Sequence, residues 1–233
     1  MRIQEKRRMR QILENKSFYH YFQPIYDINN WNIYGYEALL RSDYYSDPDT
    51  MFQIAKECGI LYELDTLSFH CALNKIKHFQ HRLFINVFPS TLIDTSFRNF
   101  VQKLDGFFYS NNQIIFEIVE GKEIENLKEF FRNIQYLKEK GFQVALDDFG
   151  KEEISLQALV DLNPHYLKVD RSIAYNIHKS NEKKDIVKKL LYLCERTNIK
   201  LILEGIEKQE DLAMAKILGV QYAQGFLLGK PLP

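Results

Sequence analysis

Several short apolar runs in this chain end in, or are broken by, oxygen-bearing side chains. Glu37 interrupts one run, Asn86 closes another, and Ile114-Ile115-Phe116-Glu117-Ile118 carries Glu117, with Glu120 just beyond. Val144-Ala145-Leu146 leads into Asp147-Asp148, and Lys168 and Asp170 belong to the next run. Leu201-Ile202-Leu203 precedes Glu204, and Gln224 sits in the last run. A carboxylate in such surroundings carries a heavy desolvation cost unless it is paired. One lysine cannot neutralise so many carboxylates, whereas divalent cations can. The donors are oxygens and no histidine is among them, which suits Mg2+ or Mn2+ and counts against zinc. Adjacent aspartates can set one carboxylate between two ions and the other on the second ion alone. Two ions about 4 Å apart form the clamp used for in-line displacement at phosphorus.

Each residue also has a plainer use. An Asp pair at a strand end can cap a helix, Glu37 can pair with Arg41, and Lys168 can serve as a Schiff-base lysine. A metal-free lyase needs few acids, so the carboxylate excess favours a metal site.

The runs that must position these groups read as eight strands, at 21–26, 33–40, 83–87, 114–118, 143–146, 166–169, 200–203 and 222–227. Several are apolar throughout, as strands buried on both faces are. Amphipathic stretches separate most of them. Leu127, Phe130, Phe131, Ile134 and Leu137 recur at helical spacing, with Gly141 as the stop, and Leu212, Ala215 and Leu218 end at Gly219. Residues 1–16 read as an N-terminal helix leading into a single domain over 1–233. Only Asp27 to Asn32 joins the first two strands, too short for a crossover helix. The expected fold is therefore an α/β, modified TIM-type (β/α)8 barrel whose first strand runs antiparallel to the rest. Functional residues of such barrels gather at the C-terminal ends of the strands. A doubly wound open sheet is the alternative.

Lys+Arg and Asp+Glu both number 31, so there is no global field to hold a polyanion, and DNA or RNA duplex binding is disfavoured. The basic stretch Lys6-Arg7-Arg8-Met9-Arg10 reads as a solvated helix face. Cys58, Cys71 and Cys194 suggest neither a disulfide framework nor a metal spacing, which fits a reducing cytoplasm. No apolar run reaches membrane-spanning length. There is no GxGxxG or P-loop.

The motifs together resemble the EAL-domain family of cyclic-di-GMP phosphodiesterases. Tyr36-Glu37-Ala38-Leu39-Leu40-Arg41 resembles the family signature, preceded by Gln23-Pro24-Ile25. Ile85-Asn86-Val87, Glu117-Ile118-Val119-Glu120, Asp147-Asp148-Phe149-Gly150, Leu167-Lys168-Val169-Asp170, Glu204-Gly205-Ile206-Glu207 and Gln224-Gly225-Phe226 follow in order. The resemblance runs from about residue 12 to the C-terminus. It implies that Glu37, Asn86, Glu117 and Asp147 hold one Mg2+ or Mn2+, and that Asp147, Asp148 and Glu204 hold a second. Lys168 would assist the attacking water, Gln224 would line the metal–water shell, and Glu120 would anchor the loop after the fifth strand. Gln23 and Arg41 would contact the guanine dinucleotide, Arg41 through phosphate. The implied reaction is two-metal hydrolysis of cyclic-di-GMP to linear pGpG, a bacterial signalling function, and a homodimer is the family's expected assembly. One departure stands out: Lys151-Glu152-Glu153-Ile154-Ser155 replaces the family's usual Thr-Gly-Tyr-Ser-Ser. That change motivates the alternative of a weakly active or inactive cyclic-di-GMP receptor.

Overall fold

Asp27 turns the chain back on itself. One of its carboxylate oxygens accepts from the backbone amides of Asn29 and Asn30 at 3.0 and 3.1 Å, and the other from Asn30 Nδ2 and Gln221 Nε2. This side-chain-capped turn joins β1 (Tyr19–Asp27) to β2 (Asn32–Arg41), which pair antiparallel from Tyr19–Arg41 down to Asp27–Asn32. In the computed structural model, which describes residues 2–75, 81–104, 111–119, 126–150 and 156–233, the hairpin is one wall of a closed barrel.

The other strands are β3 (Arg82–Val87), β4 (Ile114–Val119), β5 (Gln143–Phe149), β6 (Tyr166–Val169), β7 (Lys200–Leu203) and β8 (Tyr222–Ala223). From β2 to β8 each pairs parallel with the next, and β8 closes against β1 antiparallel. The expected barrel with one reversed strand is thus observed, and the open sheet is not.

Around it run α1 (Arg2–Glu14), α2 (Pro48–Glu57), α3 (Leu61–Lys75), α4 (Pro89–Leu92) and α5 (Phe97–Leu104). They continue as α6 (Leu127–Glu139), α7 (Leu156–Leu162), α8 (Arg171–Ala174), α9 (Asn181–Thr197) and α10 (Gln209–Leu218). Gly141, just past α6, and Gly219, the cap of α10, have φ of +84° and +92°, the left-handed conformation of helix stops. No described helix is long and apolar enough to cross a membrane.

The last strand is shorter than the run 222–227 suggests. Gln224 still donates its amide to Leu203 O, but at Gly225 the chain passes so close to Ile206 that a Cβ would lie 2.2 Å from Ile206 O. Leu228 and Gly229 then both donate back to Gly225 O. The apolar residues Phe226 and Leu227 therefore belong to a turn.

Two apolar layers hold the barrel. One lies between strands and helices and includes Phe69, Phe116, Ile134, Leu146, Phe149, Leu167 and Leu203. The other fills the barrel axis with Ile25, Phe84, Ile115, Ala145, Tyr166, Ile202 and Tyr222. On the outer face of β1, buried His20 meets Ser68 Oγ of α3 at 3.0 Å.

Burial pushes the His20 imidazole down from 6.5 to about 4, helped by Lys75 and Arg41. The unfolded chain therefore takes up this proton first. The contribution to stability is complete above pH 6.5 and is lost as pH falls from there toward 4. At 1.36 kcal/mol per pKa unit, wild type should lose about 2 kcal/mol more than His20→Gln between pH 7 and pH 5. Urea unfolding at both pH values measures this, and parallel losses would contradict it.

Candidate metal centre

The apolar plug along the barrel axis explains where the polar residues go. Strand side chains alternate faces with period two. Two residues beyond Phe84, Ile115, Ala145, Tyr166, Ile202 and Tyr222 come Asn86, Glu117, Asp147, Lys168, Glu204 and Gln224. On the reversed strand β1 the step runs the other way, from Ile25 to Gln23. Each strand thus raises a polar group into the layer directly above the plug. On β2 the plug position is Gly35, where a Cβ would lie 2.9 Å from Arg82 O and 3.1 Å from the Phe84 ring, and Glu37 follows.

Alternation alone would send Asp147 and Asp148 to opposite faces. Leu146 pairs with Leu167 and Phe149 with Val169, so both aspartates stand opposite the single residue Lys168. This is a β-bulge, and Asp148 within it carries a left-handed φ of +59°. The bulge also restores Phe149 to the outer apolar layer beside Leu146.

Lys168, 1% exposed, lies at the centre. Its Nζ is 2.7 Å from Glu117 Oε1, 2.9 Å from Asp147 Oδ1, 2.9 Å from Glu204 Oε1 and 3.5 Å from Glu37 Oε2. Gln224 Nε2 donates to Glu37 Oε2 at 2.6 Å and to Gln23 Oε1 at 3.1 Å, and Gln23 Nε2 donates to Gly229 O. Burial alone would lower the lysine pKa, but Asp147, Glu117, Glu204 and Glu37 outweigh it and hold the ammonium well above its usual value. Burial, reinforced by Glu37 and Asp147, drives Glu117 well above the carboxylate range even against Lys168. Burial likewise pushes Glu204 up to about 8, with Asp147 and Glu37 adding to it and Lys168 opposing.

Glu37, Glu117 and Asp147 bring one oxygen each to within 4.8 Å of one another, and so do Asp147, Asp148 and Glu204. The two groups share Asp147. Among the described residues, buried Glu117 Oε2 and Gln224 Oε1 have no hydrogen-bond partner. Asn86 stands opposite Glu117 in the β3–β4 register and adds another oxygen at the same level. An all-oxygen set with excess negative charge and an orphaned buried carboxylate oxygen fits divalent ions of the Mg2+ or Mn2+ kind.

The other expected residues divide. Arg41 lies at the end of β2, with Nη1 donating to Leu40 O and its guanidinium 5.9 Å from the Tyr21 ring. Its described contacts do not include Glu37. Asp170 caps α8 through Ser172 N at 2.8 Å, a structural use. Glu120 and residues 151–155 lie outside the described residues. Tyr21 shares a face with Gln23, and the same period-two count could have singled it out.

Comparison with known proteins gives a consistent family. The sequence model for the EAL domain matches residues 6–231. The Escherichia coli K12 protein named cyclic di-GMP phosphodiesterase PdeF is 32% identical over 237 residues, covering 97% of this chain and 31% of its own length. Cyclic di-GMP phosphodiesterase PdeA of Borreliella burgdorferi is 31% identical over 233 residues, covering 95% of this chain and 34% of that protein. The chain spans about a third of the length of these curated relatives. Among solved structures, Klebsiella pneumoniae BlrP1 in a manganese/cyclic-di-GMP complex superposes with a TM-score of 0.85 at 27% identity, covering 93% of this chain and 56% of that one.

The acidic centre should make stability depend on divalent ions. Adding Mn2+ to EDTA-treated protein should raise the thermal midpoint by an amount that grows with ion concentration, as binding to the folded state alone requires. Asp147→Asn, which touches both oxygen groups, should abolish the shift. An equal shift in the variant would place the ions elsewhere.

Proposed function

The chain belongs to the EAL domain family, and on that premise we propose that it is a metal-dependent phosphodiesterase opening cyclic-di-GMP to linear pGpG. The observation that carries the proposal is the pair of oxygen groups sharing Asp147 at the barrel mouth, with Lys168 between them. Glu37, Asn86, Glu117 and Asp147 would hold one Mg2+ or Mn2+, and Asp147, Asp148 and Glu204 a second. When bound, such ions supply Lewis-acid charge compensation and make water more acidic.

The chain's own groups then have distinct tasks. Lys168, kept protonated by its carboxylates, serves as a hydrogen-bond donor that orients the attacking water and offsets charge developing on the phosphoryl oxygens. An amine in that state cannot attack a carbonyl, which argues against a Schiff-base lyase. Gln224 fixes the Glu37 carboxylate through its 2.6 Å hydrogen bond, so one ligand oxygen is oriented before any ion arrives. Arg41 offers a planar guanidinium to a substrate phosphate at the rim, and Gln23 contacts the dinucleotide. The apolar plug beneath keeps bulk water from entering the centre from below.

The test is release of pGpG from cyclic-di-GMP in Mn2+ or Mg2+, with EDTA abolishing it. Glu37→Ala should lower turnover by more than about 100-fold, beyond the 10–100-fold cost of losing an outer-shell partner. Binding of cyclic-di-GMP with no metal-dependent turnover would overturn the enzyme reading and favour the receptor suggested by Lys151–Ser155.

A further inference from the structure

Aromatic side chains continue the inner face of β1 beyond the metal-centre layer. Ile25 belongs to the apolar plug and Gln23 joins Gln224 beneath Glu37. Period two puts Tyr21 and then Tyr19 next on that face, toward the mouth. The alternate residues face outward: His20 meets Ser68 of α3, and Phe22 packs against the outer apolar layer. Tyr21 is half-buried, opposite Leu39 in the register, with the Tyr19 ring 5.5 Å away. The Tyr19 hydroxyl donates to Asp43 Oδ1 at 3.2 Å. That bond ties the aromatic pair to the loop after Arg41.

Arg41, at the end of β2, lies with its guanidinium 5.9 Å from the centre of the Tyr21 ring. It spends Nη1 on Leu40 O, and its fork has further donors for a ligand oxygen. An aromatic ring and a guanidinium lying over it therefore stand together at the rim. A nucleotide presents the complementary pair, a flat base and an anionic phosphate.

We propose that Tyr21 is a stacking platform for a purine base of the substrate, with Arg41 taking the adjoining phosphate. The identity of the ligand rests on the phosphodiesterase reading above. Stacking on an aromatic ring tolerates any base because every base has a π-face. Tyr21 therefore sets affinity for nucleotide over non-nucleotide phosphodiesters and takes no part in bond cleavage.

The experiment compares Tyr21→Leu and Tyr21→Thr, which lack the ring, with Tyr21→Phe, which keeps it. Each is measured for cyclic-di-GMP binding by calorimetry in EDTA, for kcat and KM in Mn2+, and for its thermal midpoint. The two ring-free variants should bind roughly tenfold more weakly or worse, in the range measured for base–aromatic stacking. Their KM should rise with kcat and the thermal midpoint nearly unchanged, and Tyr21→Phe should match wild type. Normal turnover with unchanged Kd and KM in both ring-free variants would overturn the platform and leave the phosphodiesterase reading standing. Weakened binding in those variants with no turnover by wild type would do the reverse. Equal loss in Tyr21→Phe would overturn stacking in favour of a hydroxyl contact, and a wild type that neither binds nor turns over would overturn both.

Discussion

Lys168 is buried to 1% exposure among carboxylates from four different strands or strand ends, and this ionic centre constrains the whole barrel. Removing any of these charges from water costs several kcal/mol per ion, recovered only when partners lie at hydrogen-bonding distance. β2, β4, β5 and β7 must therefore all arrive at the level of one ammonium on β6. A closed barrel achieves this because neighbouring strands are locked in register by their ladders. The apolar plug from Ile25 to Tyr222 fixes the height of the polar layer, since each polar residue on those strands sits one pleat above a plug residue. An open sheet would leave β2 and β7 far apart and their carboxylates without the shared cation.

Much of this was legible in the sequence because it is periodic or local. The short connection from Asp27 to Asn32 forced a hairpin, and with it the reversed strand. Polar residues at the ends of apolar runs marked the mouth, since a buried carboxylate is costly unless it is paired. Other features depend on tertiary register, which sequence encodes weakly. Phe226 and Leu227 read as strand, yet the close approach of Gly225 to Ile206 ends the ladder after Ala223. Counting charges along the chain says that one lysine cannot neutralise the cluster. It does not say that the lysine stands at the cluster's centre. Tyr21 passed as an ordinary strand residue because its contact with Arg41 joins positions twenty residues apart.

The centre is also unbalanced by design of its composition. Lys168 compensates only part of the negative charge, and Glu117 and Glu204 respond by holding their protons far above the carboxylate range. A carboxylate must ionise to bind a cation well, so ion uptake and proton release are coupled at such a site. The same burial that raises these carboxyl groups lowers the local dielectric, which strengthens their attraction for a divalent ion once they ionise. The cost of burying these groups and their attraction for a divalent ion therefore share one physical origin.

The bulge at Asp147-Asp148 shows how the fold sets two adjacent carboxylates from one strand at the barrel mouth. A regular strand offers its inner face one residue in two, so adjacent aspartates would place one carboxylate in the apolar layer behind the barrel. Setting both residues opposite Lys168, at the cost of a left-handed φ of +59° at Asp148, keeps the pair at the mouth and returns Phe149 to its packing site. Asp170 makes the contrast. It also follows an apolar strand, but the chain turns directly into α8 and its carboxylate is spent on Ser172 N. Sequence position at a strand end is thus not sufficient for joining the centre. What decides membership is whether the backbone just beyond the strand aims the side chain along the barrel axis or into the next helix.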